Sequence, residues 1–182
     1  MTTRQATSSL RTGIEAIRRW DAELLAAASR VERRGMSVLM RALTRAGDTG
    51  GWVVHGLVLL ALLRIDHAVL LRMLAAGLLA TASSQVAKRL FRRSRPGASI
   101  PGFAPRVVEP DPFSFPSGHS TVAFAIATAA LAGNPVLGGV ELALAAGIAS
   151  SRILLGAHYP ADVLGGMALG LACGIASGLV VA

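Results

Sequence analysis

The chain has 182 residues, of which 53% are hydrophobic and only 15% are charged, and its formal net charge is +8. A soluble domain carries about 25% charged residues, so this composition favours a membrane protein. The basic residues lie between apolar stretches or at their ends, without interleaved aromatic residues. This distribution argues against nucleic-acid binding and indicates membrane-flanking or anion-binding positions.

The N-terminal quarter of the chain is its most polar part. Residues 1–19 contain no apolar core of the kind found in a signal peptide, and we expect them to be frayed. Residues 20–46 carry apolar residues at helical spacing but are repeatedly interrupted by charged residues. This pattern predicts one or two amphipathic helices at the membrane interface. A segment that crosses the bilayer remains the alternative.

Five apolar stretches follow a glycine-rich break at 47–51, and each is predicted to be a membrane-spanning helix, although some reach spanning length only with their flanks. Between the second and third stretches, residues 91–115 are rich in Arg, Pro and Gly, which indicates a loop. In chain order the apolar stretches are 52–63, 68–90, 120–132, 136–153 and 163–182.

The predicted fold class is therefore all-α, a polytopic transmembrane bundle of about five to six helices with an N-terminal amphipathic region. The length favours a single membrane-embedded domain covering residues 1–182. Within it, residues 1–46 are the polar N-terminal region and residues 52–182 are the helix-bundle core.

The first polar cluster lies where the second apolar stretch ends. Lys88 and Arg95 are seven residues apart, nearly two helical turns, so they share a face if the helix continues that far. Arg92 would join them, and Pro96 then tends to end the helix. Taken alone, the cluster also fits a basic stop at the membrane edge.

The second cluster precedes the third apolar stretch and contains Ser117, Gly118 and His119. Ser117 is a candidate N-cap, and Gly118 lets a ligand approach the backbone. Free N–H groups at a helix N-terminus bind anions, and His119 would project from the first turn towards such an anion. An ordinary helix cap with an exposed histidine is the alternative.

The third cluster connects the last two apolar stretches. Arg152 closes one helix, and the next is predicted to begin near Pro160. His158 and Asp162 are four residues apart, so we expect the Asp162 carboxylate to accept the imidazole N–H. That hydrogen bond would fix the tautomer and strengthen the other ring nitrogen as a nucleophile.

The predicted topology brings the three clusters together. Two spans separate the 91–115 loop from the turn that carries His158, so the chain returns to the side of the bilayer that it left. The sequences Lys-x6-Arg-Pro, Pro-Ser-Gly-His and Ser-Arg-x5-His-x3-Asp occupy these positions, between Lys88 and Asp162. Together they resemble the signature of type 2 phosphatidic acid phosphatases, also called lipid phosphate phosphatases.

The resemblance implies a mechanism in which His158 attacks phosphorus and forms a phosphohistidine, with Asp162 orienting the imidazole. It implies that His119 protonates the leaving group and then helps to activate water. The residues that it implies for phosphate binding are Lys88, Arg95, Ser117, Gly118 and Arg152. No cluster of carboxylates or of Cys and His resembles a metal site, so we expect activity without metal or cofactor.

The predicted protein is thus an integral-membrane hydrolase of the bacterial inner membrane, with the bilayer and a lipid phosphate as its partners and no nucleic acid. Polyprenyl diphosphates such as undecaprenyl diphosphate, phosphatidylglycerol phosphate and phosphatidic acid all remain possible substrates. The side of the membrane that the site faces and the oligomeric state also stay open.

Three other functions are weighed against this prediction. Vanadate-dependent haloperoxidases share the family's anion cage but are soluble, which the apolar stretches contradict. A non-catalytic lipid-phosphate carrier would need only the basic residues, not His158, Asp162 and His119. A soluble basic DNA-binding protein conflicts with the apolar composition.

Other polar residues are predicted to have mainly structural roles. Arg72 and Glu141 lie within apolar stretches, where ionisable groups are costly, so we expect them to pair with each other or to reach the interface. His55 is expected to be a histidine with its hydrogen bonds satisfied, in the core or at the interface, and Asp48 is expected to stop a helix. Two acidic residues of the loop are candidates for gating entry to the site: Glu109 and Asp111.

Overall fold

Helices make up most of the chain in the computed structural model, which describes residues 3–31, 34–61, 63 and 65–180. Within those residues the chain forms eight helices, and the only β pairing is an isolated bridge between Ser94 and Phe113. In chain order the helices are α1 Thr3–Val31, α2 Arg34–Ala46, α3 Thr49–Ala61, α4 His67–Phe91, α5 Pro96–Ser99, α6 Gly118–Gly133, α7 Pro135–Leu154 and α8 Pro160–Val180. The all-α prediction is confirmed.

The N-terminal region is helical almost from its start. One or two helices are predicted for residues 20–46, and two are found, α2 and the second half of α1. The frayed segment predicted for residues 1–19 is wrong from residue 3 onwards, because α1 begins there. Residues 15–19 are exposed, so no apolar periodicity marks this part of α1 as a helix. Further along α1, Asp21 and Leu25 are fully buried and fix the helix to the rest of the protein.

The five predicted apolar stretches correspond to α3, α4, α6, α7 and α8. By length and composition α4, α7 and α8 are able to cross a membrane, whereas α3 and α6 are apolar but shorter, with 13 and 16 residues. Side-chain caps fix where two of these helices begin. Asp66 accepts a hydrogen bond from the Ala68 N–H at 2.8 Å, and Asn134 accepts one from the Leu137 N–H at 3.0 Å.

Helix α6 forms the centre of the bundle, where it packs against α4, α7 and α8. Its contact with α8 depends on three glycines of α8 spaced four residues apart, Gly166, Gly170 and Gly174. A Cβ atom at these positions would lie 2.6, 2.4 and 2.7 Å from carbonyl oxygens of α6 and its N-cap residue, closer than real Cβ atoms come. The two backbones therefore approach to a distance that only glycine permits.

The long loop before α6 and the turn before α8 lie at the same end of the bundle, as the sequence predicts. The Arg106 N–H donates to the Leu155 carbonyl at 2.9 Å, and the Ser117 N–H donates to the Asp162 carbonyl at 2.9 Å. Gly156 in the turn has a φ of +73°, which glycine adopts without strain. This end of the bundle therefore brings the three polar clusters together.

Candidate active site

Three basic side chains meet at this end of the bundle and bind two carboxylates of the loop. Lys88 Nζ donates to Asp111 Oδ2 at 2.7 Å, and Arg95 donates through Nη2 to the same oxygen at 3.0 Å. Arg152, from the last turn of α7, is buried and donates to Glu109. We call Lys88, Arg95 and Arg152 the basic cage. In this structure the two loop carboxylates neutralise two of its three positive charges.

The route by which Lys88 and Arg95 converge differs from the predicted one. Helix α4 ends at Phe91, and Arg92 takes a left-handed conformation with a φ of 47° that turns the chain. The expected helical face from Lys88 to Arg95 therefore does not form, and Arg92 is exposed, with its Nε donating to the Arg89 carbonyl. The loop brings Arg95 back to the site instead.

His158 lies at the floor of the site with 1% of its surface exposed. Its Nε2 is 3.1 Å from Arg95 Nη1, so this nitrogen faces the basic cage. Burial, followed by the charges of Arg152, Arg95 and Lys88, lowers the pKa of His158 well below its ordinary value. The imidazole is therefore neutral at physiological pH, as a nitrogen nucleophile must be.

The predicted hydrogen bond between His158 and Asp162 is not formed. His158 Nδ1 lies 3.6 Å from Asp162 Oδ2 and has no hydrogen-bond partner among the described residues. Asp162 instead accepts from Arg93 Nη1 at 2.8 Å and from the Tyr159 N–H at 2.9 Å. Helix α8 begins at Pro160, as predicted, so His158 lies before the helix and Asp162 within its first turn. A separation of four residues across a helix start does not by itself bring the two side chains into hydrogen-bond contact.

The N-terminus of α6 forms another wall of the site. Ser117 caps the helix as predicted, accepting a hydrogen bond from the Ser120 N–H at 3.4 Å. Gly118 lies beside the cage, since a Cβ atom added to it would be 3.9 Å from Lys88 Nζ. His119, which follows, lines the same cavity as His158. The second cluster therefore meets the first and third.

Asp48 has a partner that the sequence did not indicate. His119 Nε2 lies 2.8 Å from Asp48 Oδ1, so Asp48, which lies between the end of α2 and the start of α3, binds a site histidine. Gly47 makes this approach possible, because a Cβ atom there would be 2.9 Å from His119 Cδ2 and from Ile148 Cγ2. The link between α2 and α3 therefore contributes to the site, although it lies outside the predicted core of residues 52–182.

The loop carboxylates are ionised in the site. Burial raises the pKa of Glu109, but Arg152 beside it, together with His119 and Arg95, more than offsets this rise, so the pKa ends below its ordinary value. Burial likewise raises the pKa of Asp111, and Lys88 and Arg95 more than offset this rise. Glu109 and Asp111 therefore form charged pairs within the site, whereas the sequence assigned them only to its entrance.

A cavity of about 1250 Å³ opens from the site. Its polar end includes His119, His158, Lys88 and Arg152. Its other end runs between α3 and α4 and is mainly apolar, with Leu57, Leu60, Leu70, Met73, Leu74 and Leu78 along its walls. The cavity therefore joins the basic cage to an apolar groove.

Comparison with known proteins identifies the family. Residues 69–181 match the model of the PAP2 superfamily. The chain is 37% identical over 136 residues to a decaprenylphosphoryl-5-phosphoribose phosphatase of Mycobacterium tuberculosis, a match covering 73% of both chains. The phosphatase of the same name from Mycolicibacterium smegmatis is 37% identical over 147 residues, which are 79% of this chain and 78% of the relative. The chain belongs to the PAP2 superfamily.

Solved structures show the same architecture. LpxE of Aquifex aeolicus superposes with a TM-score of 0.75 at 24% identity, covering 87% of this chain and 94% of that one, and supports the fold. A transmembrane PAP2 type phosphatidylglycerolphosphate phosphatase of Bacillus subtilis gives a TM-score of 0.74 at 26% identity, with 91% and 86% covered. The predicted transmembrane fold is confirmed, and this PAP2 protein is a multi-pass membrane protein.

The predicted enzyme class is confirmed at the level of a PAP2 lipid phosphatase. Beyond the motif residues, the structure adds two side chains that the sequence did not single out, Asp21 and Arg93, both near Asp162. No local signal distinguishes Arg93 from the arginines beside it or shows that Asp21 is buried. Glu141 pairs with His55 at 2.6 Å, which confirms His55 as a satisfied histidine.

Proposed function

We propose that this PAP2 phosphatase transfers a phosphate from a polyprenyl-linked lipid to His158 and then to water, without a metal ion. The observation that carries the proposal is the environment of His158. The imidazole is buried and neutral, and its Nε2 faces the basic cage. The cage lies at one end of a cavity whose other end is the apolar groove between α3 and α4. This arrangement suits in-line attack on an anionic phosphate ester.

In the first step the substrate phosphate displaces the loop carboxylates from the basic cage. His158 Nε2 then forms a bond to phosphorus while the bond from phosphorus to the lipid oxygen breaks. His119 donates a proton to that oxygen. Burial and the charge of Arg152 lower the pKa of His119, and the carboxylate of Asp48, 2.8 Å from Nε2, opposes this shift and favours the protonated imidazole. Fixed cations in a buried site stabilise the charge on the transferring group.

In the second step water attacks the phosphohistidine. His119, now neutral, accepts a proton from that water, and the bond between phosphorus and His158 breaks to release inorganic phosphate. Ser117 and the backbone of Gly118 provide the helix N-terminus that faces the phosphate. In this mechanism Asp162 orients His158 and stabilises the charge that its ring acquires during attack.

Metal independence is part of the proposal. The charge that a metal ion would neutralise in phosphoryl transfer is met here by three permanently cationic side chains, Lys88, Arg95 and Arg152. Turnover is therefore expected to be unchanged in excess EDTA.

The proposed substrate is a polyprenyl-phosphate-linked sugar phosphate. The mycobacterial relatives at 37% identity are phosphatases for decaprenylphosphoryl-5-phosphoribose. The apolar groove between α3 and α4 is suited to a long isoprenoid chain, and the basic cage to the terminal phosphate. Undecaprenyl diphosphate, phosphatidylglycerol phosphate and phosphatidic acid carry the same terminal group and are the competing substrates.

Two measurements test the proposal. Rapid acid-free quenching with a ³²P-labelled substrate should trap a base-stable, acid-labile phosphoenzyme in the wild type and none in His158→Ala. The control His67→Asn replaces a histidine at the exposed start of α4 and should behave as wild type. A phosphoenzyme that survives His158→Ala would exclude this mechanism. Phosphate release from the four lipids then ranks the substrates, and a preference for phosphatidic acid would overturn the polyprenyl assignment.

A further inference from the structure

Helix α1 places a buried carboxylate behind the proposed catalytic pair. Asp21 is fully buried, and both of its oxygens are engaged. Oδ2 accepts from Arg93 Nη2 at 2.6 Å, and Oδ1 accepts from the Ala161 N–H at 2.8 Å. Ala161 is in the first turn of α8, so Asp21 satisfies one of the helix N-terminal N–H groups from a different helix.

Arg93 links Asp21 to the site. Its Nη1 donates to Asp162 Oδ1 at 2.8 Å while Nη2 binds Asp21, so one guanidinium bridges two buried carboxylates. Its Cζ also lies 4.2 Å from the centre of the Tyr159 ring. Only Asp162 Oδ2 remains directed towards His158, at 3.6 Å from Nδ1.

The charge balance gives Asp21 a role beyond packing. If Arg93 had Asp162 as its only acidic neighbour, the guanidinium would neutralise the carboxylate that faces His158. A second carboxylate shares the positive charge of Arg93 and leaves Asp162 more able to stabilise the ring charge that develops during phosphorus attack.

We propose that Asp21 of helix α1 is a positioning residue of this phosphatase that sets, through Arg93, the orientation and effective charge of Asp162. This inference rests on the proposed roles of His158 and Asp162. It makes the amphipathic N-terminal helix a part of the active site, because the bond from Asp21 reaches the first turn of α8 directly.

The test uses Asp21→Asn in the full chain, purified in detergent. Asparagine keeps an oxygen for the Ala161 N–H but presents an amide N–H₂ or a neutral oxygen to Arg93. We expect kcat to fall about 10-fold, as for residues that orient catalytic groups, with KM within about twofold of wild type. The matched control is Glu23→Gln on the same helix, which removes the same charge from an exposed side chain and should leave kcat unchanged.

A double-mutant cycle identifies the route. Arg93→Gln should lower kcat by itself, and adding Asp21→Asn should lower it no further, because Asp21 acts through Arg93. Independent losses in the double variant would overturn the proposal. So would an unchanged kcat in Asp21→Asn with only a lower melting temperature, since that is the result of a purely structural role.

Arg93→Lys replaces this test if Asp21→Asn does not yield folded protein. Lysine keeps the charge but is unable to bind both carboxylates as the guanidinium does. A reduced kcat with unchanged KM supports the proposal, whereas a wild-type kcat refutes it. Phosphohistidine trapping on the wild type distinguishes failure of the Asp21 proposal from failure of the proposed mechanism. If the mechanism is wrong, the wild type forms no phosphohistidine; if only the Asp21 proposal is wrong, it still does.

Discussion

At the scale of single residues, the protonation state of His158 is set by burial and by neighbouring charges rather than by a hydrogen-bonded carboxylate. Its Nδ1 makes no hydrogen bond to the described residues, and its Nε2 faces a cation. Burial and the neighbouring positive charges both oppose protonation, so the neutral form persists to a lower pH than for a histidine in water. A lowered pKa means that acidification, rather than alkalinisation, eventually removes the nucleophile.

We therefore expect His158 to titrate below the ordinary value of about 6.5. NMR of the protein labelled with ¹⁵N in its histidine rings follows the titration directly, without interference from ionisation of the substrate phosphate. His158→Gln assigns the signal. A His158 titration at or above the ordinary value would contradict the electrostatics described for the site.

In the proposed mechanism, the loop carboxylates Glu109 and Asp111 compete with the substrate phosphate for the basic cage. Glu109→Gln and Asp111→Asn each remove one charge that the incoming anion must displace. If that displacement costs about 1 kcal/mol for such partly exposed pairs, vanadate should inhibit each variant at a concentration about fivefold lower than wild type. Glu15→Gln, an exposed change of the same charge on α1, is the control. Weaker vanadate inhibition would show that the carboxylates assist anion binding.

At the scale of helices, the parts of the site that could be predicted are those marked by local spacing. Ser117 precedes an apolar helix and caps it, and Arg152 lies in the last turn of α7 as expected. The bond from Arg93 to Asp21 instead joins residues 72 positions apart, and that from His119 to Asp48 joins residues 71 apart. Such pairings depend on how α1 and α2 pack, which no local pattern of residues specifies.

Two predictions made from the spacing of residues along the chain are wrong, in both cases at the end of a helix. The predicted face joining Lys88 to Arg95 assumed an unbroken α4, but the left-handed turn at Arg92 ends it. The expected bond between His158 and Asp162 rested on their separation of four residues, but the helix starts between them, as predicted, and His158 Nδ1 lies 3.6 Å from Asp162 Oδ2. In both places the residues still reach the same site, because the loop and the turn are held together by tertiary hydrogen bonds.

The glycine stripe of α8 makes a prediction about stability. Gly170→Val would place a branched side chain where even a Cβ atom lies 2.4 Å from the Thr121 carbonyl, so α6 and α8 must separate. We expect a loss of about 1–3 kcal/mol or more, which is typical of overpacking, measured as a lower melting temperature in detergent. Gly178→Ala is the control on the same helix, since a Cβ atom there meets nothing within 4 Å. Equal melting temperatures for the two variants would refute close packing at Gly170.

At the scale of the whole molecule, the cavity connects the chemistry to the membrane. The basic cage lies at one end of the bundle, and the groove between α3 and α4 extends from it along apolar side chains. A lipid phosphate can therefore keep its chain in an apolar environment while its terminal phosphate enters the cage. The groove would thus bind the lipid chain and the cage the phosphate, so different substitutions should affect the binding of each part of the substrate.

Two leucines of α4 with similar exposure provide the test. Leu74 is 59% exposed and lines the cavity, whereas Leu71 is 55% exposed and is not among its lining residues. Leu74→Trp should obstruct the groove and raise KM for a long polyprenyl phosphate, because the chain loses apolar contact, while kcat and KM for a short-chain phosphate stay near wild type. A partial loss of contact with two or three methylene groups, at about 0.8 kcal/mol each, corresponds to a rise in KM of roughly 15- to 60-fold.

Leu71→Trp adds the same bulk to the outer face and should alter neither substrate's KM. Phosphate release by both variants, measured for the long and the short substrate in the same detergent, gives four values of KM. If Leu74→Trp weakens both substrates equally, the residue shapes the phosphate site rather than the chain groove. If neither tryptophan variant changes KM for the long substrate, the polyprenyl chain does not follow the groove between α3 and α4. The polyprenyl chain must then extend from the cage into the bilayer along another face of the bundle.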